Sequence, residues 1–270
     1  MQAFSFGVET NAIVKDDYYY IIYKGKKLKY IKSKSAGSTD TLVTCIRNDT
    51  EIADAYSLMT EFMRAFAYTY SLNVIMHEGM LVRGIREKHL SQYIGGARGR
   101  KVLPLDSRVD ELVLLPPIDT PIKAELLRLY TDAKSCHNVC LSILFYWHCL
   151  VYPSPDDQAA VDYINKNLLN IQAIEYSLDT LKNEGTFGEV DLASLGEYIK
   201  NNVRNSLAHI VRKHPNSVNL SLDNWYQMRA LHSVSFILQS LARHRLNRDF
   251  GFSEFAGLDT VRYFTPEPLG

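Results

Sequence analysis

The chain has 270 residues, 46% of them hydrophobic, with 30 basic and 30 acidic side chains. That length suits one large or two ordinary domains with a sizeable core. Balanced charge excludes a general polyanion binder, although it leaves room for a local basic site.

The N-terminal stretch reads as mixed strand and helix. Ala3–Thr10 alternates apolar and polar residues, as a half-buried strand does. Tyr18–Tyr23 and Leu28–Lys32 are aromatic and β-branched, and Lys24-Gly25-Lys26 between them predicts a hairpin. Thr41–Ile46 predicts another strand. Ala55, Met59, Phe62, Phe66 and Tyr70 then fall at helical spacing and predict a helix over Ile52–Tyr70. Met80–Leu115 has no clear period. It contains Gly95-Gly96-Ala97-Arg98-Gly99-Arg100-Lys101, which predicts a loop. Pro116, Pro117 and Pro121 mark a boundary.

Beyond the prolines the pattern is helical. One helix is predicted over Ile122–Val151, with Leu126, Leu129, Tyr130, Ala133, Cys136, Cys140, Ile143 and Trp147 near one face and Pro153 after its end. A second runs over Asp156–Leu169 and resumes over Ile171–Lys182. A third is capped by Asp191 and runs to about Lys213, before Pro215. A last helix spans about Leu222–Leu246. The expected class is therefore α+β: a strand-rich domain over residues 1–117, a sensing element for target or partner; an all-α domain over 118–250; and a tail over 251–270, rich in phenylalanine, that packs back on the body.

The third helix carries the chemistry. Leu192, Leu195, Ile199, Val203, Leu207 and Ile210 form its apolar stripe. At 100° per residue, Arg204, Asn205, Ala208, His209 and Arg212 all fall on the opposite side. Arg204 and His209 flank that polar face, with Ala208 between them offering no bulk. A guanidinium can grip two phosphate oxygens, an imidazole can move a proton near neutral pH, and Asn205, one turn before His209, can orient the ring. These groups suit RNA cleavage by the ribose 2′-hydroxyl, which requires neither metal nor cofactor. The alternative is a solvent-facing helix on which an arginine and a histidine fall by chance. Arg83 and His89 have comparable spacing in an irregular stretch.

Arg204-Asn205-Ser206-Leu207-Ala208-His209 resembles the R-N-x-x-x-H motif of HEPN-domain proteins, and the surrounding helices resemble their four-helix plan. The resemblance covers about half the chain. It implies a homodimer whose motif helices face one another across one composite cleft. It further implies a metal-independent endoribonuclease of a toxin–antitoxin, phage-defence or CRISPR system, with RNA as substrate and an antitoxin or defence partner. The alternative it carries is a non-catalytic module for dimerisation or docking. The strand-rich start followed by helices with this motif also resembles bacterial proteins of the methylamine-utilisation J type.

Other groups carry less specific signals. Arg212 and Lys213, and the loop cations Arg98, Arg100 and Lys101, are candidate RNA contacts, the loop being otherwise simply mobile. The lysine-rich hairpin, with Lys24, Lys26, Lys27, Lys29, Lys32 and Lys34 among tyrosines, is either a stacking surface for RNA or an edge kept soluble by charge. Cys136 and Cys140 on one helix face could offer two thiolates to zinc. Their place in the apolar stripe favours plain burial, so no metal is expected. Three of the four cysteines lie in that apolar stretch, which is no disulfide framework and suits a reducing compartment. No charged leader opens the chain, and the longest apolar run is too short to span a bilayer. The expectation is a cytoplasmic protein without membrane contact.

Overall fold

A computed structural model describes residues 2–14, 18–33, 39–83, 107–109, 115–171, 174–184, 189–208, 224–253 and 262–263. The fold is mixed α+β, with an antiparallel sheet in the N-terminal part and helices after it. It divides into two compact units, Met1–Pro117 with Glu254–Gly270, and Ile118–Ser253.

The first unit contains β1 (Gln2–Thr10), β2 (Ala12–Val14), β3 (Tyr18–Tyr23), β4 (Lys26–Ile31), β5 (Asp40–Ile46), α1 (Ile52–Thr69), β6 (Val74–Arg83) and β7 (Ser107–Val109). β8 (Arg262–Tyr263), from the tail, pairs with β3. The main sheet has the order β6-β1-β5-β4-β3-β8, and β2 pairs in parallel with β7. The β3–β4 turn places Lys24 at φ 46 and Gly25 at φ 76. Both lie in the left-handed region, as a tight hairpin turn requires.

α1 lies against one sheet face. Its Phe62 ring meets Tyr23 edge-on at 5.5 Å and stacks on Phe66 at 6.3 Å, and Tyr56 meets Phe4 and Phe6. Tyr23 donates from its hydroxyl to Glu61 at 2.6 Å, and Lys24 pairs with the same carboxylate at 2.6 Å. The expectation of a half-buried β1 is corrected: it lies between β5 and β6, and Ala3, Phe4, Ser5, Phe6 and Val8 are all buried. Ala3 packs with Val43, Ile31 and Cys45 on the face away from α1. The hairpin lysines divide as well. Lys24, Lys26 and Lys27 are exposed, whereas Lys29 is buried, with its ammonium 4.6 Å from the Tyr18 ring. The end of β6, residues 80–83, falls in the stretch that has no clear period in the sequence. Gly79 before it lets the Phe4 ring lie close, since a Cβ there would stand 2.3 Å from that ring.

The second unit holds α2 (Pro121–Ser135), α3 (Val139–Val151), α4 (Gln158–Asn167), α5 (Glu175–Glu184), α6 (Leu195–Tyr198), a π-helical stretch Ile199–Arg204, α7 (Asn205–Ala208) and α8 (Trp225–Phe250). The single helix expected over 122–151 is two helices. Asn138 breaks it by capping α3, its side chain accepting from the Cys140 and Leu141 amides at 2.9 and 3.3 Å. The Ser142 hydroxyl ties the break together by donating to the Ala133 carbonyl at 2.7 Å. Cys136 therefore ends α2 while Cys140 begins α3, and the two do not share a helix face. α8 is the central packing element, burying Ala230, Leu231, Val234, Ile237, Leu238, Leu241, Ala242 and Leu246. It meets α2, α3 and α5. Arg245 on α8 donates to the carbonyls of Cys149 and Tyr152, satisfying groups that the end of α3 leaves open. Among the described residues, no helix is long and apolar enough to cross a membrane.

Candidate functional site

The segment before the motif departs from the regular helix expected over 191–213. Asp191 accepts from the Ala193 amide at 3.0 Å and opens a 3-10 turn, Leu192–Ser194. α6 follows, then the π-helical stretch, in which the Asn205 amide reaches back to the Lys200 carbonyl. Such π segments break the 100° register, so the helical-wheel positions shift along the motif. The apolar stripe survives at its centre, with Leu195, Ile199 and Val203 fully buried.

α4 fixes this segment from one side. The Gly196 amide donates to Asn165 at 2.7 Å, and Asn165 donates to Glu197 at 2.8 Å. Gly196 is needed for this approach, because a Cβ there would stand 2.6 Å from the Val161 carbonyl oxygen.

Arg204 and Asn205 are half-buried, not fully on an open face. Arg204 Nη1 donates to the Asn205 side-chain oxygen at 3.0 Å, and Nη2 pairs with Asp157 at 3.0 Å. The other oxygen of Asp157 accepts from the Trp147 indole N–H at 2.8 Å. Trp147 is fully buried on α3, and Asp157 immediately precedes α4. Three elements thus converge on one guanidinium through the chain Trp147, Asp157, Arg204, Asn205. An indole held in the core fixes the carboxylate, and the carboxylate fixes the arginine. Tyr198, on α6, has its hydroxyl pushed up to about 12 by burial.

Arg204 and Asn205 stand out in the sequence, whereas Asp157 and Trp147 carry no such signal there. Asp157 sits in a Ser-Pro-Asp-Asp turn, and nothing in spacing linked it to Arg204. Its side chain, 27% exposed, is where the ion pair forms. His209, Arg212 and Lys213 lie outside the described residues, as do Arg98, Arg100 and Lys101. Of the comparison pair, Arg83 ends β6 and His89 also lies outside. Among the described residues, no three His, Cys, Asp or Glu side chains come together as metal ligands.

What the described residues can do is hold a cation in a fixed, partly desolvated place. Only some of the guanidinium donors are used by Asp157 and Asn205, and the rest can meet an anion. Comparison with family models, curated proteins and solved structures finds no match for this chain.

Proposed function

We propose that the chain is a metal-independent endoribonuclease of HEPN type, serving in a toxin–antitoxin or phage-defence system, with a four-helix HEPN-like plan in its helical unit. The observation that carries this reading is the pre-set guanidinium. Arg204 is oriented by Asp157 and Asn205 at the start of a sequence that ends in His209. Rigid placement of a group before substrate arrives is what electrostatic catalysis requires.

In the reaction, the ribose 2′-hydroxyl loses its proton to a base, the O2′–P bond forms, and the P–O5′ bond breaks. A proton is delivered to the departing O5′. Arg204 meets the charge that gathers on the non-bridging oxygens. His209 acts in proton transfer, and Asn205 has the role of orienting its ring. One imidazole cannot take one proton and give another in the same step, so two copies of the motif in a homodimer suit the chemistry better than one. A second reading, a non-catalytic module for dimerisation or docking, is favoured by one detail: both Nη groups of Arg204 are already engaged within the protein.

The test compares the parent with His209→Ala and Arg204→Lys on RNA. The cleavage reading expects losses on the order of 100- to 10,000-fold for His209→Ala. Arg204→Lys also loses activity, because an ammonium cannot copy the planar two-point grip. A parent chain that cuts no RNA would leave the docking module as the reading, and equal cutting by His209→Ala and the parent would remove His209 from the chemistry.

A further inference from the structure

Away from Arg204, α5 and α8 pack together, and a cavity of about 490 Å³ opens between them. Tyr176, Ser177 and Thr180 line it from α5, and Trp225, Met228, Arg229, His232 and Ser233 from α8. The volume falls in the range of small-ligand sites.

The exposure of the lining is unusual. Trp225 is 70% exposed and Tyr176 76% exposed, although large aromatic rings normally gain by burial. Along α8, Trp225, Arg229, His232 and Phe236 recur at four- and three-residue spacing, so they share one face over about 16 Å. That face presents a ring, a guanidinium, an imidazole and a second ring, and Phe236 is itself 45% exposed. Among the described residues no carboxylate lines the cavity, while hydroxyls from Ser177, Thr180 and Ser233 do. Flat rings interleaved with a guanidinium and an imidazole, both able to donate hydrogen bonds, match the alternation of base and phosphate along a single strand. Hydroxyls can pair with base edges without selecting one base.

We propose that the α5–α8 cavity binds a nucleotide of single-stranded RNA, its base stacked on Trp225 and Tyr176 and its phosphate met by Arg229 and His232. The site is separate from the Arg204 cluster and does not need cleavage. If both readings hold, it guides the strand.

The chain's two tryptophans make the test direct, because Trp147 is buried and Trp225 is open to quenching. The full chain is titrated with a 2′-O-methylated decaadenylate, which lacks the free 2′-hydroxyl and is not cut. Tryptophan emission and the anisotropy of a labelled copy are read together. The expected result is saturable quenching that Trp225→Phe removes, with Tyr176→Ala and Arg229→Gln each weakening binding by about tenfold or more. Adenosine monophosphate alone binds far more weakly than the strand. The inference is overturned if the parent fails to bind the strand, or if Tyr176→Ala and Arg229→Gln bind as the parent does. It is also overturned if the monophosphate binds as tightly as the strand. Trp225→Ala converting a dimer to a monomer with strand binding intact would make this face a contact between copies. Strand binding without any RNA cleavage would remove the nuclease reading and leave this one. Cleavage with no role for Tyr176 or Arg229 would do the reverse.

Discussion

At the scale of single residues, the ion pair between Arg204 and Asp157 organises the helical unit around the motif. With side chains 20% and 27% exposed, it lies between a solvent-washed pair and a buried one. Removing one partner should therefore cost more than the roughly 0.2–1 kcal/mol of an exposed pair and less than the roughly 3–5 kcal/mol of a fully buried one. Asp157→Asn keeps an acceptor for the Trp147 indole and removes only the charge. We expect urea unfolding to show that loss, and the Asp157→Asn, Arg204→Ala double variant to be less destabilised than the sum of the singles. Simple additivity would mean the two side chains do not work together. Lys134 gives a second, independent prediction. Burial, and then the neighbouring charge of Arg243, lowers its ammonium from the usual 10.5 to about 8. Between these values the unfolded chain holds a proton that the folded chain has lost, so this group makes stability rise with pH from about 8 to 10.5. Below about 8 the folded state carries the full penalty of a desolvated cation. Lys134→Met should flatten the rise of melting temperature between pH 7.5 and 9.5 relative to the parent, and an unchanged slope would contradict the assignment. The sequence singles out Arg204 and Asn205 because their type and order suit one chemistry, the proposed RNA cleavage. It does not single out Asp157, because the partner of an arginine far along the chain is chosen by tertiary packing.

At the scale of elements, the motif depends on how α6 and the π-helical stretch are pinned to α4. Gly196 leaves no room for a methyl group, since the obstacle at 2.6 Å is the backbone carbonyl of Val161 and not a side chain that can swing away. Gly196→Ala should therefore destabilise the protein by about 1–3 kcal/mol in urea unfolding, as overpacking does. A neutral or stabilising effect would show that α4 and α6 are free to part. Much of the element order is readable: the β3–β4 hairpin from Lys24-Gly25, α1 from its aromatic spacing, and a last helix over about Leu222–Leu246 where α8 lies. The misreadings have physical causes. Asn138 splits the apolar run over 122–151 because its side chain caps a new helix more effectively than its backbone continues the old one. Ser5 and Gly7 interrupt the apolar pattern of β1 and give it a half-buried look, yet both are buried in a strand that is internal to the sheet. The π stretch had no signal, since its wider turn is set by packing and not by residue type.

At the scale of the whole molecule, the proposal requires assembly and a defined chemistry. On this account the motif from one copy is incomplete, so the protein should be a homodimer at micromolar concentration, and light scattering should give about twice the 30.8 kDa of the chain. A strict monomer that still cleaved RNA would reject the composite cleft. In the proposed reaction a 2′-hydroxyl attacks under the charge of Arg204. The most direct measurement is the end group of the RNA product, read by mass spectrometry from a reaction run in EDTA, beside a substrate carrying a single 2′-deoxy sugar at the cut. Attack by the 2′-hydroxyl gives a 2′,3′-cyclic phosphate, cleavage undiminished by EDTA, and no cutting at the 2′-deoxy position. A 5′-phosphate product, loss of activity in EDTA, or normal cutting at the 2′-deoxy sugar would contradict it.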